Sequence, residues 1–271
     1  MSTTSTTTRP APATTPDPSV AGVPFGRLVK VELRKVVDTR AGFWLLAAIA
    51  ILTAAVIVIF LLAMPDGELS ELTHQAFLFI TSVPQGFLLP VMAILAVTAE
   101  WSQRTGLVTF TLEPSRMRVA AAKLVAVTIY GLLAVALAVG LSALANLAGM
   151  SLRDAAGDWD VTWRFLGDVT FLQVSGLIQG FAFALMLMNT AAAIVLYFVL
   201  PIVWNILFSL VDWLADIAPW VDLGTATQPI TEGRTLEAQD WAHVAVASTI
   251  WVLLPLAIGL VRLMRSEVKS A

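Results

Sequence analysis

Read for the alternation of apolar and polar positions, the chain divides into six long apolar runs separated by shorter polar stretches. The runs lie near 42–63, 77–99, 124–149, 167–188, 190–211 and 242–262. A helix needs about 20 apolar residues to cross the hydrocarbon of a bilayer, and each run reaches or nearly reaches that length. The fourth and fifth are almost continuous; only Met188, Asn189 and Thr190 offer a break, so a tight turn is expected there. The segment PFGRLVKVELRKVVDTR before the first run has a different period. At 100° per residue, Phe25, Leu28, Val29, Leu33 and Val36 form one apolar stripe, and Arg27, Lys30, Arg34 and Asp38 cluster opposite. This is a basic amphipathic helix suited to a membrane surface and leading into a span.

Residues 1–22 are mostly Ser, Thr, Pro and Ala, a composition that cannot build a core and reads as a disordered tail. No apolar segment of signal-peptide type follows it directly. The expected organisation is therefore a tail (1–22), an interfacial helix (23–41), an all-α domain of six transmembrane helices (42–265) and a short cytoplasmic tail (266–271). Composition agrees: 58% of the 271 residues are hydrophobic and 13% charged, against about 25% charged in a soluble globule. The chain reads as an integral membrane protein.

Placing the spans exposes a charge asymmetry hidden by the net charge of −3. Of the 16 basic residues, all but Arg153, Arg164 and Arg234 fall on one side. That side holds both termini and the connection between the second and third spans. The bias of basic residues toward the cytoplasm puts both termini inside, in a multi-pass protein of the cell membrane. The acids opposite, among them Asp66, Glu68, Glu71, Asp154, Asp158 and Asp160, read as a solvated outer surface.

Several chemistries find no support in the residues. With no cysteine there is no disulfide, thiolate metal site or thiol nucleophile. The two histidines, His74 and His243, lie at the outer boundary, where they read as plain surface residues; a zinc site wants three or four ligands. Neither H-E-x-x-H nor G-x-S-x-G occurs. No glycine is followed by lysine, so the G-x-x-x-x-G-K-[ST] phosphate cradle is missing. No nucleic-acid partner is expected. Trp44, Trp101, Trp159, Trp163, Trp220 and Trp241 near span ends fit aromatic belts.

The longest cytoplasmic connection, TAEWSQRTGLVTFTLEPSRMRVAAAKL at 98–124, carries unusual punctuation. Glu100 and Arg104 have the spacing and order of a helical ion pair, so the second span is expected to continue past the membrane. Gly106 permits a bend. Leu107, Val108, Phe110 and Leu112 are apolar where water should be the neighbour. Pro114 disfavours helix at Glu113 and can open a new one. Arg116, Arg118 and Lys123 follow near the headgroups. A topology-holding loop accounts for the basic residues; a protein-docking surface accounts for the apolar ones as well.

An interfacial helix VKVELRKVVDTR, two spans, then E-x-x-x-R-T-G followed by L-x-P-x-R and a lysine resembles the membrane subunit of ABC-2 type exporters. The resemblance implies a six-helix permease working as a dimer, with a second copy or a related permease. Each permease pairs with a cytoplasmic ATPase that binds ATP, so this chain needs no cofactor of its own and is not itself an enzyme. It also implies that Glu100, Arg104, Gly106, Pro114, Arg116 and Lys123 fall in a loop that couples to the ATPase, with Glu32 and Lys35 in the interfacial helix. The segment from Asp212 to Trp241 occupies the place of the family's short re-entrant or interfacial helices before the last span.

The span centres are nearly free of ionisable groups, which argues against a proton relay and for a drive from outside the bilayer. Gln85, Asn146, Gln173, Gln179 and Asn205 are neutral polar groups within spans; they either bond between helices or line a substrate path. Such a path, walled by Phe, Leu and Met, would suit an amphiphile, a drug or a lipid. Pro84, Pro90, Pro201 and Pro255 are expected to kink their helices. The function expected is an export permease moving a hydrophobic or amphiphilic substrate outward; a non-transporting scaffold or immunity-type component, or a secondary carrier, is the alternative.

Overall fold

The computed structural model describes residues 23–65, 73–102, 113–153 and 157–265, and every regular element among them is a helix. The N-terminal tail, the C-terminal tail and the stretch 103–112, which contains Arg104 and Gly106, lie outside the described residues. The chain runs through α1 (Phe25–Asp38), α2 (Arg40–Ala63), α3 (His74–Ser102), α4 (Arg116–Arg153), α5 (Trp163–Leu187) and α6 (Thr190–Leu210). Two short helices follow, α7 (Asp212–Val221) and α8 (Leu223–Thr231). The last long rod is α9 (Ala238–Ser248), a π-helical turn (Thr249–Leu253) and α10 (Leu254–Arg265). Six of these rods are long and apolar enough to cross a membrane, which makes a multi-pass membrane protein of the all-helical fold.

The helices overrun the apolar runs that announce them. α4 begins at Arg116 and ends at Arg153, where hydropathy alone gives 124–149. Its 38 residues extend about 57 Å, against roughly 30 Å of hydrocarbon. Hydropathy marks the lipid-immersed stretch, whereas backbone hydrogen bonding continues through polar turns. Lys123 consequently lies inside a helix rather than in a loop, about 10 Å from its start.

α3 and α5 form the centre of the bundle, with half of their apolar windows buried. Leu89, Met92, Ile94 and Val97 of α3 pack with Val127 and Ala134 of α4 and with Leu177, Phe181, Phe183 and Leu185 of α5. Small residues permit the closest approaches: a Cβ on Gly180 would stand 2.8 Å from the Pro90 carbonyl oxygen, and one on Gly259 would stand 2.6 Å from the Leu185 Cβ. α6 is the least enclosed of the spans. Only Ala193 is buried, and Val195, Val199, Ile202, Ile206 and Leu210 face outward. A predominantly apolar helix with so little cover needs an apolar surrounding.

The break between α5 and α6 falls where expected. Met188 takes a left-handed conformation (φ 50°), and the Asn189 side chain caps α6 by accepting from the Ala192 amide at 3.0 Å. The helices run through Pro84, Pro90 and Pro201. At Pro255 the chain adjusts one turn earlier, where the π-helical turn absorbs the missing N–H and the ring clash with the preceding turn. α7 and α8 fold back on the last rod, and Ala226 and Ile230 bury against Val244 and Ala247.

Candidate functional site

α1 carries an acid inside its apolar stripe. Glu32 sits one turn from Leu28 and one from Val36, and both Glu32 and Val36 are buried. A carboxylate on a buried face requires a cation, and α4 supplies it. Lys123 Nζ lies 2.7 Å from Glu32 Oε2, with the two side chains only 6% and 8% exposed. Lys35 Nζ lies 2.6 Å from Glu32 Oε1. Glu100, near the end of α3, completes the set: its Oε1 stands 3.2 Å from both lysines. Lys123 also donates to the Ala96 carbonyl at 3.2 Å. Two acids and two bases from three helices thus form a neutral, largely dehydrated cluster.

Further ties fix α1 along the same side of α4. The Arg118 guanidinium donates to the Val23 carbonyl and to the Glu113 carboxylate. The Tyr130 hydroxyl donates to the Leu33 carbonyl at 2.9 Å. With the Glu32–Lys123 pair between them, these contacts join α1 to α4 at three successive levels. Burial pulls the Lys35 pKa down, but its hydrogen bond to Glu32 and the charges of Glu32 and Glu100 outweigh this and hold it above 10.5. A raised lysine stabilises the fold fully below its ordinary pKa and loses that effect only as pH rises through the higher folded value. The Lys35 contacts therefore persist throughout the neutral range.

The residues expected in the loop separate into groups. Glu32, Lys35, Glu100 and Lys123 converge in one cluster. Glu100 is turned toward Lys35 and Lys123, while Arg104, its expected partner, lies outside the described residues. Pro114 is exposed just before α4. Arg116 stands apart from the cluster and donates to the Leu263 carbonyl at 2.8 Å, tying α4 to the end of α10. Glu113 is buried and accepts from the Ser115 amide and Arg118.

The polar residues within the spans occupy different settings. Gln85 is fully buried and donates to the Ala134 carbonyl at 2.8 Å. Gln173 donates to the Ser82 carbonyl at 2.7 Å. Asn146 donates to the Asp158 carbonyl at 3.1 Å. Gln179 is half-buried and Asn205 exposed on α6. The first three are bonds between packed segments. Gln85→Met is accordingly expected to cost about 1 kcal/mol, read as a small fall in the melting temperature in mild detergent. A gain in stability would mean that the amide is held there for something other than packing.

His74 corrects the sequence expectation of a surface residue. It is only 7% exposed, its Nε2 lies 3.1 Å from Ser142 Oγ, and its ring meets Trp159 edge-on. The Asp158 carbonyl accepts from both the His74 amide and Asn146, which pins the connection before α5 into that end of the bundle. Nothing in sequence spacing links 74 to 142 and 158; the contact exists because α3 and α4 pack together. His243 is half-buried against Trp220. Among the described residues no group of three or more acids and histidines could hold a metal.

The charge cluster contains no activated nucleophile, and its charges are mutually neutralised; it ties α1 to the facing ends of α3 and α4. No protein-family model matches this chain, and no curated protein matches its sequence.

Proposed function

We propose that the chain is the membrane-spanning subunit of an ABC-2 type exporter, with both termini cytoplasmic and its ATP hydrolysed by a separate cytoplasmic ATPase. The observation that carries this reading is the buried Glu32–Lys35–Glu100–Lys123 cluster. An amphipathic helix needed only as an anchor gains nothing from dehydrated ion pairs to two spans. A helix that must pass force into the bundle does. The ATPase would dock on the 100–123 segment and on α1, and its closure would tilt α3 and α4 through the cluster. The span centres support a drive from outside the bilayer: α6 carries no acidic or basic side chain, and those of α3 and α4 gather toward the helix ends. The substrate would be hydrophobic or amphiphilic, moved outward by a pair of permeases.

The test is purification of the tagged chain from its native membranes in mild detergent, followed by identification of what accompanies it. An ATPase with a phosphate-binding loop is expected in wild type and expected to be lost in Arg104→Glu/Arg116→Glu. Arg116 also holds the Leu263 carbonyl, so Arg104→Glu alone serves as the second variant and should weaken the association, with the melting temperature of both variants measured alongside to separate lost docking from lost folding. A chain that comes alone, or a partner indifferent to both variants, overturns the reading and moves a carrier or scaffold to the front.

A further inference from the structure

We propose that the outward face of α10 is a binding site for an anionic phospholipid. Ala257, Ile258, Val261, Arg262 and Arg265 line a shallow, open groove of about 580 Å³ along one stripe of this helix. The opposite stripe is committed: Pro255, Gly259 and Leu263 are buried, with Gly259 against Leu185 of α5. The outward stripe is free, with Ile258 46% and Val261 42% exposed.

The order of residues along the groove selects its occupant. Ala257, Ile258 and Val261 offer only hydrocarbon, and the next turn offers two guanidinium groups. Arg262 spends one N–H on the Met186 carbonyl at 2.6 Å. Arg265 makes no hydrogen bond or ion pair among the described residues. An apolar track ending in two arginines matches acyl chains ending in a phosphate, which guanidinium groups bind in bidentate fashion. A second copy packed about a two-fold axis through this face would set arginines against arginines. A water-soluble partner would have to cover the apolar turns. A lipid with a net negative headgroup meets neither obstacle, and basic residues beside a span attract such headgroups.

The experiment is native mass spectrometry of the full chain released from vesicles of phosphatidylglycerol and phosphatidylcholine mixed in equal amounts. The expected result is retention of phosphatidylglycerol over phosphatidylcholine by on the order of tenfold. Arg265→Gln should reduce that preference about fivefold. Val261→Trp, which fills the groove and leaves the charge alone, should lower retention of both lipids. Both side chains point outward, so neither variant should change the melting temperature. Equal retention of the two lipids overturns the proposal. So does a preference unchanged in Arg265→Gln, or a wild-type chain that appears as a lipid-free dimer. Because the readout needs neither ATPase nor transport, its failure is distinguishable from failure of the exporter reading.

Discussion

Lys123→Met is expected to cost about 3 kcal/mol, the lower end of the range for removing one partner of a buried ion pair. Glu32 would keep Lys35 at 2.6 Å but lose its fully enclosed partner at 2.7 Å. Glu100 would lose one of two lysines, with its Oε2 already lacking a hydrogen bond among the described residues. Two carboxylates would then share one half-exposed ammonium, leaving a net negative charge in a dehydrated place. Replacement of both partners, Glu32→Gln with Lys123→Met, should recover most of the loss, because the penalty comes from the stranded charge rather than from the absent attraction. The measurement is the thermal midpoint of the two single variants and the double variant in mild detergent. Additive losses would mean that the two side chains do not form the pair and that α1 is held by its other contacts.

That cycle bears on more than stability. If the double variant folds as well as wild type yet fails to respond to a bound ATPase, the charges serve transmission. If it responds normally, the remaining ties suffice, namely Arg118 to Val23 and Tyr130 to Leu33. The cluster then belongs with buried ionic groups that specify a geometry at no gain in stability.

The six rods were legible because lipid immersion demands long apolar runs, and the turn at Met188–Asn189 because an asparagine sat between two such runs. Their ends were not. Arg116, Lys123 and Arg153 look like loop residues to a hydropathy scale, yet α4 encloses all three. At its far end Arg153 reaches across to the Met64 carbonyl at 2.7 Å and satisfies the terminus of α2. The amphipathic period of α1 was equally readable, and so in principle was the anomaly within it. Glu32 interrupts the apolar stripe, and an acid there implies a base on whatever packs against it. The sequence could not name that base, because the pairing of α1 with α4 depends on how the bundle closes. The family resemblance points to Glu32 and Lys123 separately, without the contact that joins them. The connection 103–112, with the apolar Leu107, Val108, Phe110 and Leu112 that suggest a docking surface, lies outside the described residues. The proposed coupling therefore rests on the cluster, whose contacts are in view.

The geometry that presents α1 to the spans depends on one glycine, and Gly42→Ala is the second large expected effect. α1 ends at Asp38, Thr39 is extended, and α2 begins at Arg40 with the Thr39 hydroxyl accepting from the Gly42 amide at 3.1 Å. This elbow is so tight that a Cβ on Gly42 would overlap the Val36 carbonyl oxygen and stand 2.9 Å from the Thr39 hydroxyl oxygen. The obstruction is backbone, so no rotamer change relieves it, and keeping α1 in place would cost about 3 kcal/mol or more. The cheaper outcome is for α1 to swing away, breaking the contacts of Glu32 with Lys123 and of Leu33 with Tyr130 while the bundle stays folded. Because the chain has no cysteine, spin labels attach only where cysteines are introduced. Exposed Val31 on α1 and Leu132 on α4 are suitable positions. The wild-type pair should give one narrow distance distribution, and Gly42→Ala a broad and longer one. Gly140→Ala is the control: nothing lies within 4 Å of the added methyl, and alanine favours an exposed helix by about 0.5–1 kcal/mol over glycine. If Gly42→Ala leaves the distance narrow, the elbow is more compliant than its contacts imply. A surface helix free to flex there could not deliver an ATPase stroke to α3 and α4 through the charge cluster.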